Sequence, residues 1–260
     1  MSFHFKIGLK LHTTNVTLIP YAIKLKKEGF FDYIELYMVP DSYRQTFNAW
    51  KDLNIPYIIH APHSYSGLNL SLEDFEYKNN YLIEETESFR VALNPSKIIF
   101  HPGINGSIKE TIRQILLHKK NYSELFKSSI IENKPKMGLN GELCIGSSPE
   151  EILQIINETE MGFCLDVGHA IYYAAWAGLN YEDVIDSYNR LKPNMYHLSD
   201  GDVSSKTDLH LNFGKGNFKL GRILKKIPKD SYITIETNKD IKKRLTDFET
   251  DIDSFNKLLI

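Results

Sequence analysis

The stretch from 97 to 169 opens on KIIFHPG (97–103), passes an amphipathic run to SIIEN (129–133), and passes another to MGFCLDVGH (161–169). The short runs are rich in β-branched and aromatic residues and the longer ones have helical periodicity, so the segment reads as alternating strand and helix. The alternation continues outward in both directions. KIGLKLH ending at His12, YIELYMV from Tyr33 and YIIHAPH from Tyr57 come before it; MYHLSD from Met195 and YITIETN from Tyr232 come after. Eight strand-like runs in 260 residues make about 32 residues per unit, the proportion of a (β/α)8 barrel; an open doubly wound sheet rarely needs eight. The expectation is an α/β chain forming a single TIM-barrel domain over 1–260, with no Gly-, Ser- or Pro-rich linker to divide it.

Two helical runs carry start signals. SSPEE at 147–151 sets a capping Ser before Pro and two acids, and NYEDV at 180–184 sets a capping Asn before two acids. The segment Asp74 to Leu93 keeps Phe75, Leu82, Ile83, Phe89 and Leu93 near one face, and the chain closes on a helical run ending FNKLLI.

The chain is 42% hydrophobic and 25% charged, ordinary for a globular protein with a sizeable core. Thirty-one Lys and Arg against thirty-three Asp and Glu leave a formal charge of −2, so no global basic field recruits nucleic acid or anionic membrane. Any anion must be caught by a local site. No apolar run approaches the roughly 18 residues that cross a bilayer, and MSFHFKIGLK lacks a signal peptide's apolar region. The expectation is a cytoplasmic monomer with no membrane partner. Cys144 and Cys164 make no disulfide framework, and Cys164, in an apolar run, reads as a core residue.

The strand runs share a second pattern: an apolar body followed by a ligand-type residue. Tyr57-Ile-Ile runs into His60, Lys97-Ile-Ile-Phe into His101, Ile130-Ile131 into Glu132, Cys164-Leu165 into Asp166, Met195-Tyr196 into His197, and Ile233-Thr-Ile235 into Glu236. In a parallel barrel these ends open on one face, where barrel active sites sit. His169 follows Asp166 across Val-Gly, where Gly168 is expected to supply the φ values that turn both side chains inward. Asp208 and His210, two apart, point the same way if their segment is extended. Together these are nine nitrogen and oxygen donors: His60, His101, Glu132, Asp166, His169, His197, Asp208, His210 and Glu236.

Four carboxylates at one mouth are costly to fold around without protons or cations. Zn²⁺ suits a mixed His and carboxylate shell, and Mn²⁺ and Fe²⁺ suit it too. Nine donors with one bridging carboxylate match three divalent ions, whose +6 against −4 suits a phosphodiester. One ion on Glu132, Asp166, His197 and Glu236 sets +2 against −3 and suits an uncharged sugar.

The order HAP at 60–62, HPG at 101–103, IEN at 131–133, D-x-x-H at 166–169, HLSD at 197–200, D-x-H-x-x-x-G-x-G at 208–216 and IETN at 235–238 resembles the endonuclease IV and xylose isomerase-like TIM-barrel superfamily, over roughly 57–238. The resemblance implies a zinc-dependent hydrolase cutting the DNA backbone beside an abasic sugar. It implies one zinc on His60 and His101 with Glu132 as bridge, a second on Glu132, Asp166, His197 and Glu236, and a third on His169, Asp208 and His210. Glu132 would also orient the nucleophile.

HAPHSYSGLNL is longer than the usual family form. Tyr65 and Asn69 therefore match the family's DNA-contacting tyrosine and asparagine loosely, and His63 serves either as a group supporting the ligands or as a loop histidine, with the loop histidine preferred. Arg44, Tyr65 and Lys215 are the candidate phosphate clamps or wedges. The glycines of FGKGN (213–217) serve either a phosphate or a tight turn, with the turn preferred. His12 and Glu35 are candidate supporting groups behind the ligands. The competing expectation is a sugar (phosphate) isomerase or epimerase with one divalent metal, in which Glu132 and Glu236 are both ligands and the catalytic acid/base pair. A non-catalytic binding module is the third.

Overall fold

The computed structural model describes residues 5–238 and 244–259. Eight parallel strands close into a barrel in sequence order. They are β1 Lys6–His12, β2 Tyr33–Tyr37, β3 Tyr57–His60, β4 Ile98–Phe100, β5 Ser129–Glu132, β6 Gly162–Asp166, β7 Met195–Leu198 and β8 Tyr232–Ile235. Pairing of β1 with β8, from Lys6 opposite Tyr232 to Leu9 opposite Ile235, shuts the ring. After the successive strands come α1 Ile19–Lys27, α2 Tyr43–Trp50, α3 Glu76–Leu93, then α4 Ile108–Asn121 with the short α5 Ser123–Lys127. The second half adds α6 Pro149–Thr159, then α7 Val167–Ala177 with α8 Tyr181–Asn189, then α9 Leu220–Leu224 and α10 Thr246–Leu258. The fold is a (β/α)8 barrel.

Period-two alternation along the strands explains both cores. Outward residues such as Leu9, Ile34, Ile59, Phe100, Ile131, Leu165, Leu198 and Ile235 pack against the helices. Inward residues Tyr33, Ile58, Ile99, Ile130, Cys164 and Met195 form a separate apolar plug, with Tyr232 packed against it. At Gly8 a Cβ would meet the Tyr33 ring at 2.4 Å, so glycine makes room for the tyrosine. The Tyr33 hydroxyl is satisfied by Thr234 Oγ1 at 2.9 Å.

The next inward residue on each strand is two positions further on. From Gly8, Tyr33, Ile58, Ile99, Ile130, Cys164, Met195 and Thr234 that step leads to Lys10, Glu35, His60, His101, Glu132, Asp166, His197 and Glu236. An apolar floor is thus overlaid by a ring of ionisable groups at the barrel's C-terminal mouth.

Strands are shorter than their runs, because His101 and the residues after His60 and Glu132 turn into loops. The helix starts follow the sequence signals. Ser148 Oγ accepts from Glu151 N at 3.2 Å, Pro149 takes the first helical position, and Asn180 Oδ1 accepts from Glu182 N at 2.8 Å. In the run from Asp74, a 3-10 turn at Glu73–Phe75 precedes α3; Leu82, Ile83, Phe89 and Leu93 are buried and Phe75 is half-buried. Both cysteines are free and buried. Among the described residues no helix is long and apolar enough to cross a membrane.

Candidate metal centre

Asp166 ends β6 and also caps α7: its Oδ1 accepts the His169 backbone N–H at 2.7 Å. Val167, Gly168 and His169 are therefore the first helical turn, which corrects the expected glycine-driven bend. Gly168 has no positive φ; a Cβ there would lie 3.3 Å from both Asp166 Oδ1 and Ser199 Oγ, so crowding rather than conformation favours glycine. The D-x-x-H spacing is helix-cap geometry.

The extended backbone expected at Asp208 and His210 is also corrected. His210 has φ 47°, in the left-handed region, and its Nδ1 is held by the Glu236 carbonyl at 2.7 Å. With the ring so held, Asp208 Oδ2 lies 2.6 Å from His210 Nε2 and 3.0 Å from His169 Nε2.

Glu132 sits at the centre. Its Oε2 is 3.2 Å from His60 Nε2, 3.2 Å from His101 Nε2 and 3.3 Å from His197 Nδ1, and its Oε1 is 3.3 Å from His169 Nδ1. Outer partners fix the rings: His60 Nδ1 meets the Ala61 carbonyl at 2.8 Å, His169 Nδ1 the Asn133 carbonyl at 2.8 Å, and His197 Nε2 meets Glu35 Oε2 at 2.8 Å. Each leaves the opposite nitrogen for the interior, as in metal sites.

Three sets emerge whose ligand atoms lie within 4.8 Å of one another: His60, His101 and Glu132; Glu132, Asp166, His197 and Glu236; His169, Asp208 and His210. All nine residues expected from the sequence belong to them, and Glu132 is shared. His101 Nε2, His197 Nδ1, Asp208 Oδ1 and Glu236 Oε2 are buried without a hydrogen bond to any described residue. His197 Nδ1 and Glu236 Oε2 approach to 2.6 Å yet are not aligned as donor and acceptor. Orphaned buried polar atoms are rare and costly, and a cation in each of the three sets would satisfy all four, so the residues present fit divalent metal. A further set pairs Cys164 with Glu132 and His197, but burial pushes the Cys164 thiol up to about 12, keeping it a thiol rather than a thiolate ligand.

Protons on the histidines balance the acids in the metal-free chain. Burial opposes charge on His169 and His210, yet Asp166 and Asp208 raise His169 to about 10, and Asp208 raises His210 to about 9. Burial would likewise raise Glu132, but His101 and His197 hold it well below the usual carboxylate range. His101 itself is lowered, by burial first and then by Lys134.

Two lysines missed by the sequence reading line the cavity, Lys10 and Lys134. Lys10 Nζ is 2.5 Å from Glu236 Oε1 and 3.3 Å from Glu35 Oε1. The alternation of KIGLKLH held the signal for Lys10, since it shares a face with Gly8. Glu35 is a fully buried fifth carboxylate, which also accepts from Thr234 Oγ1 at 2.7 Å. His12 lines the cavity above it.

The candidate clamps fare differently. Arg44 and Lys215 are exposed and do not line the cavity, which measures about 210 Å³. Tyr65 does line it; its hydroxyl donates to Glu142 Oε2 at 2.8 Å and accepts the Leu139 N–H at 2.9 Å. Asn69 is buried and spent, its amide bridging to both Ile104 N and Ile104 O. His63 lines the cavity, its ring parallel to that of His101 with centroids 6.0 Å apart. The FGKGN nest is filled from within: the N–H groups of Gly201, Gly214, Gly216 and Phe218 all donate to the Asp200 carboxylate at 2.9–3.2 Å.

Fold and site together define a (β/α)8 barrel with a cluster of metal-ligand-type residues at its C-terminal mouth. The chain belongs to the xylose isomerase-like TIM barrel family, whose sequence profile matches residues 24–258. A relative from Thermoplasma volcanium, named probable endonuclease 4, is 29% identical over 189 residues, 66% of this chain; the match spans only 62% of that relative's length. Endonuclease IV from Thermus thermophilus superposes with a TM-score of 0.69 at 18% identity, over 97% of this chain and 99% of that one. A D-tagatose 3-epimerase-like protein superposes at 0.70 and 19%, over 98% and 97%.

Proposed function

We propose that the chain is a metal-dependent phosphodiesterase of the endonuclease IV type, hydrolysing the DNA backbone at abasic sites with three zinc ions. One observation carries the reading: nine donors on six strand ends and their loops fall into three sets, two of which share Glu132, with four buried donor atoms left unpaired by the described residues. His60, His101 and Glu132 would hold one ion, Glu132, Asp166, His197 and Glu236 a second, and His169, Asp208 and His210 the third. Bound zinc lowers the pKa of water and neutralises charge on a phosphoryl group. Glu132, central and surrounded by four histidines, positions the groups around it. Glu236, held by Lys10 on one oxygen, presents the other inward. Tyr65, at the cavity wall, offers an aromatic face to an extruded nucleotide.

Elemental analysis of the purified chain, with an abasic duplex assayed before and after chelation, tests this. About three ions per chain and strand scission lost on chelation are expected. One tight metal and no scission would end the reading.

The second reading, a sugar isomerase or epimerase on one divalent ion with Glu132 and Glu236 as acid/base pair, draws support from two features. The cavity is small, and the exposed Arg44 and Lys215 stand away from it. It leaves His60, His101, His169, Asp208 and His210 as sugar-contacting groups. Interconversion of a ketose pool followed by NMR separates the two.

A further inference from the structure

Lys134 lies two residues beyond Glu132 and is half-buried in the cavity wall. No hydrogen bond or ion pair joins its ammonium to any described residue, which sets it apart from Lys10, whose charge is taken by Glu35 and Glu236. The acids lining the cavity are engaged elsewhere: Glu132 by four histidines, Asp208 by His169 and His210, Glu236 by Lys10 and His197. Its backbone is not free to carry it away. Lys134 N donates to Gly146 O at 2.9 Å, and the loop beyond is pinned by Cys144 N to Lys136 O at 3.0 Å and Ile145 N to Gly103 O at 3.0 Å. Lys134 lines the same cavity as His60, His101 and Glu132 and as His169, Asp208 and His210, which places it beside both sets.

A half-desolvated ammonium without a counter-ion is costly, and divalent ions in the two sets beside it would raise that cost. An uncharged sugar can accept a hydrogen bond from the ammonium but neutralises none of this charge. An anionic oxygen lying between the ions and the ammonium relieves all three charges together.

We propose that Lys134 is a specificity residue, binding a non-bridging oxygen of a phosphoryl group held at the mouth of these two sets. The inference rests on the phosphodiesterase reading for the position of that group, and it names the substrate as a phosphorylated anion.

The test is calorimetric titration of inorganic phosphate into the protein as purified and after zinc reconstitution, with zinc counted in each preparation. Lys134→Met is expected to bind phosphate about ten to a hundred times more weakly than the parent at equal zinc content and unchanged Tm. Lys134→Arg restores most of the affinity, and binding of uncharged ribose is the same in all three. Equal phosphate affinity of parent and Lys134→Met overturns the proposal, as does phosphate that binds neither. Scission of abasic DNA without a Lys134 effect on phosphate removes this subsite alone; a Lys134 effect without scission removes the DNA reading and leaves the subsite.

Discussion

The ammonium of Lys10, on the first strand, lies 2.5 Å from Oε1 of Glu236, one residue past the end of the last. The same nitrogen is 3.3 Å from Glu35 Oε1; Glu35 Oε2 meets His197 Nε2 at 2.8 Å; and His197 Nδ1 comes within 2.6 Å of Glu236 Oε2. Lys10, Glu35, His197 and Glu236 thus close a ring across β7, β8, β1 and β2, over the seam where the barrel shuts. A protein cation stands beside the acids that would hold a metal.

Lys10→Met leaves two carboxylates without their ammonium in a site where that side chain is 12% exposed. The metal-free protein should lose about 3 kcal/mol. The zinc-loaded protein should lose less, because the ion supplies the missing charge. Urea unfolding with and without metal measures both, and equal losses would contradict the account.

Metal and protons compete for the same nitrogens. A histidine whose folded pKa is raised contributes stability in full below its unfolded value, about 6.5, and loses it as pH climbs through the folded value. For His210 and His169 those folded values are about 9 and about 10. The Tm of the metal-free chain should therefore fall between about pH 6.5 and 10, while the zinc-loaded chain holds its Tm. Zinc uptake near neutral pH should release protons, visible with an indicator dye in weak buffer. Verified uptake with no release would refute this.

Glu132→Gln keeps the size of the central group and removes its charge. Zinc content should fall and abasic-site scission should drop by at least about a hundredfold, the upper end of what outer-shell changes cost. Far-UV circular dichroism should be unchanged. Parent-like activity would remove Glu132 from the centre of the site.

Asp200→Ala strips the acceptor from four backbone N–H groups in a buried turn. A loss of about 3 kcal/mol is expected in urea unfolding. Gly216→Ala should also destabilise, because its Cβ would sit 2.2 Å from the Gly201 carbonyl oxygen. A stable, parent-like Asp200→Ala would reopen the turn as a site for an external anion.

The barrel and the six strand-end donors were legible because both follow from short-range periodicity. Two-residue alternation sends Ile99 and His101, or Ile130 and Glu132, to one face, and parallel closure then makes six strand ends neighbours. The caps at Ser148 and Asn180 were legible for the same local reason. Gly168 and His210 were misread because a helical first turn and a left-handed residue can aim side chains as an extended segment does, and spacing alone does not separate the three. Lys10 was overlooked although its alternation was visible, since lysine in a strand ordinarily marks an exposed edge.

The chain's sequence by itself determined which side chains face the barrel interior, and so that histidines and acids meet at one mouth, because the side-chain period of a strand is set by backbone geometry. Only the tertiary structure decided how their charges are shared: that Lys10 serves Glu236, that Asp200 fills the glycine nest, and that Lys134 is left without a partner among the described residues. Those pairings join residues as far apart as 10 and 236, and the energy of an ion pair depends on distance and burial in space, which separation along the chain does not encode.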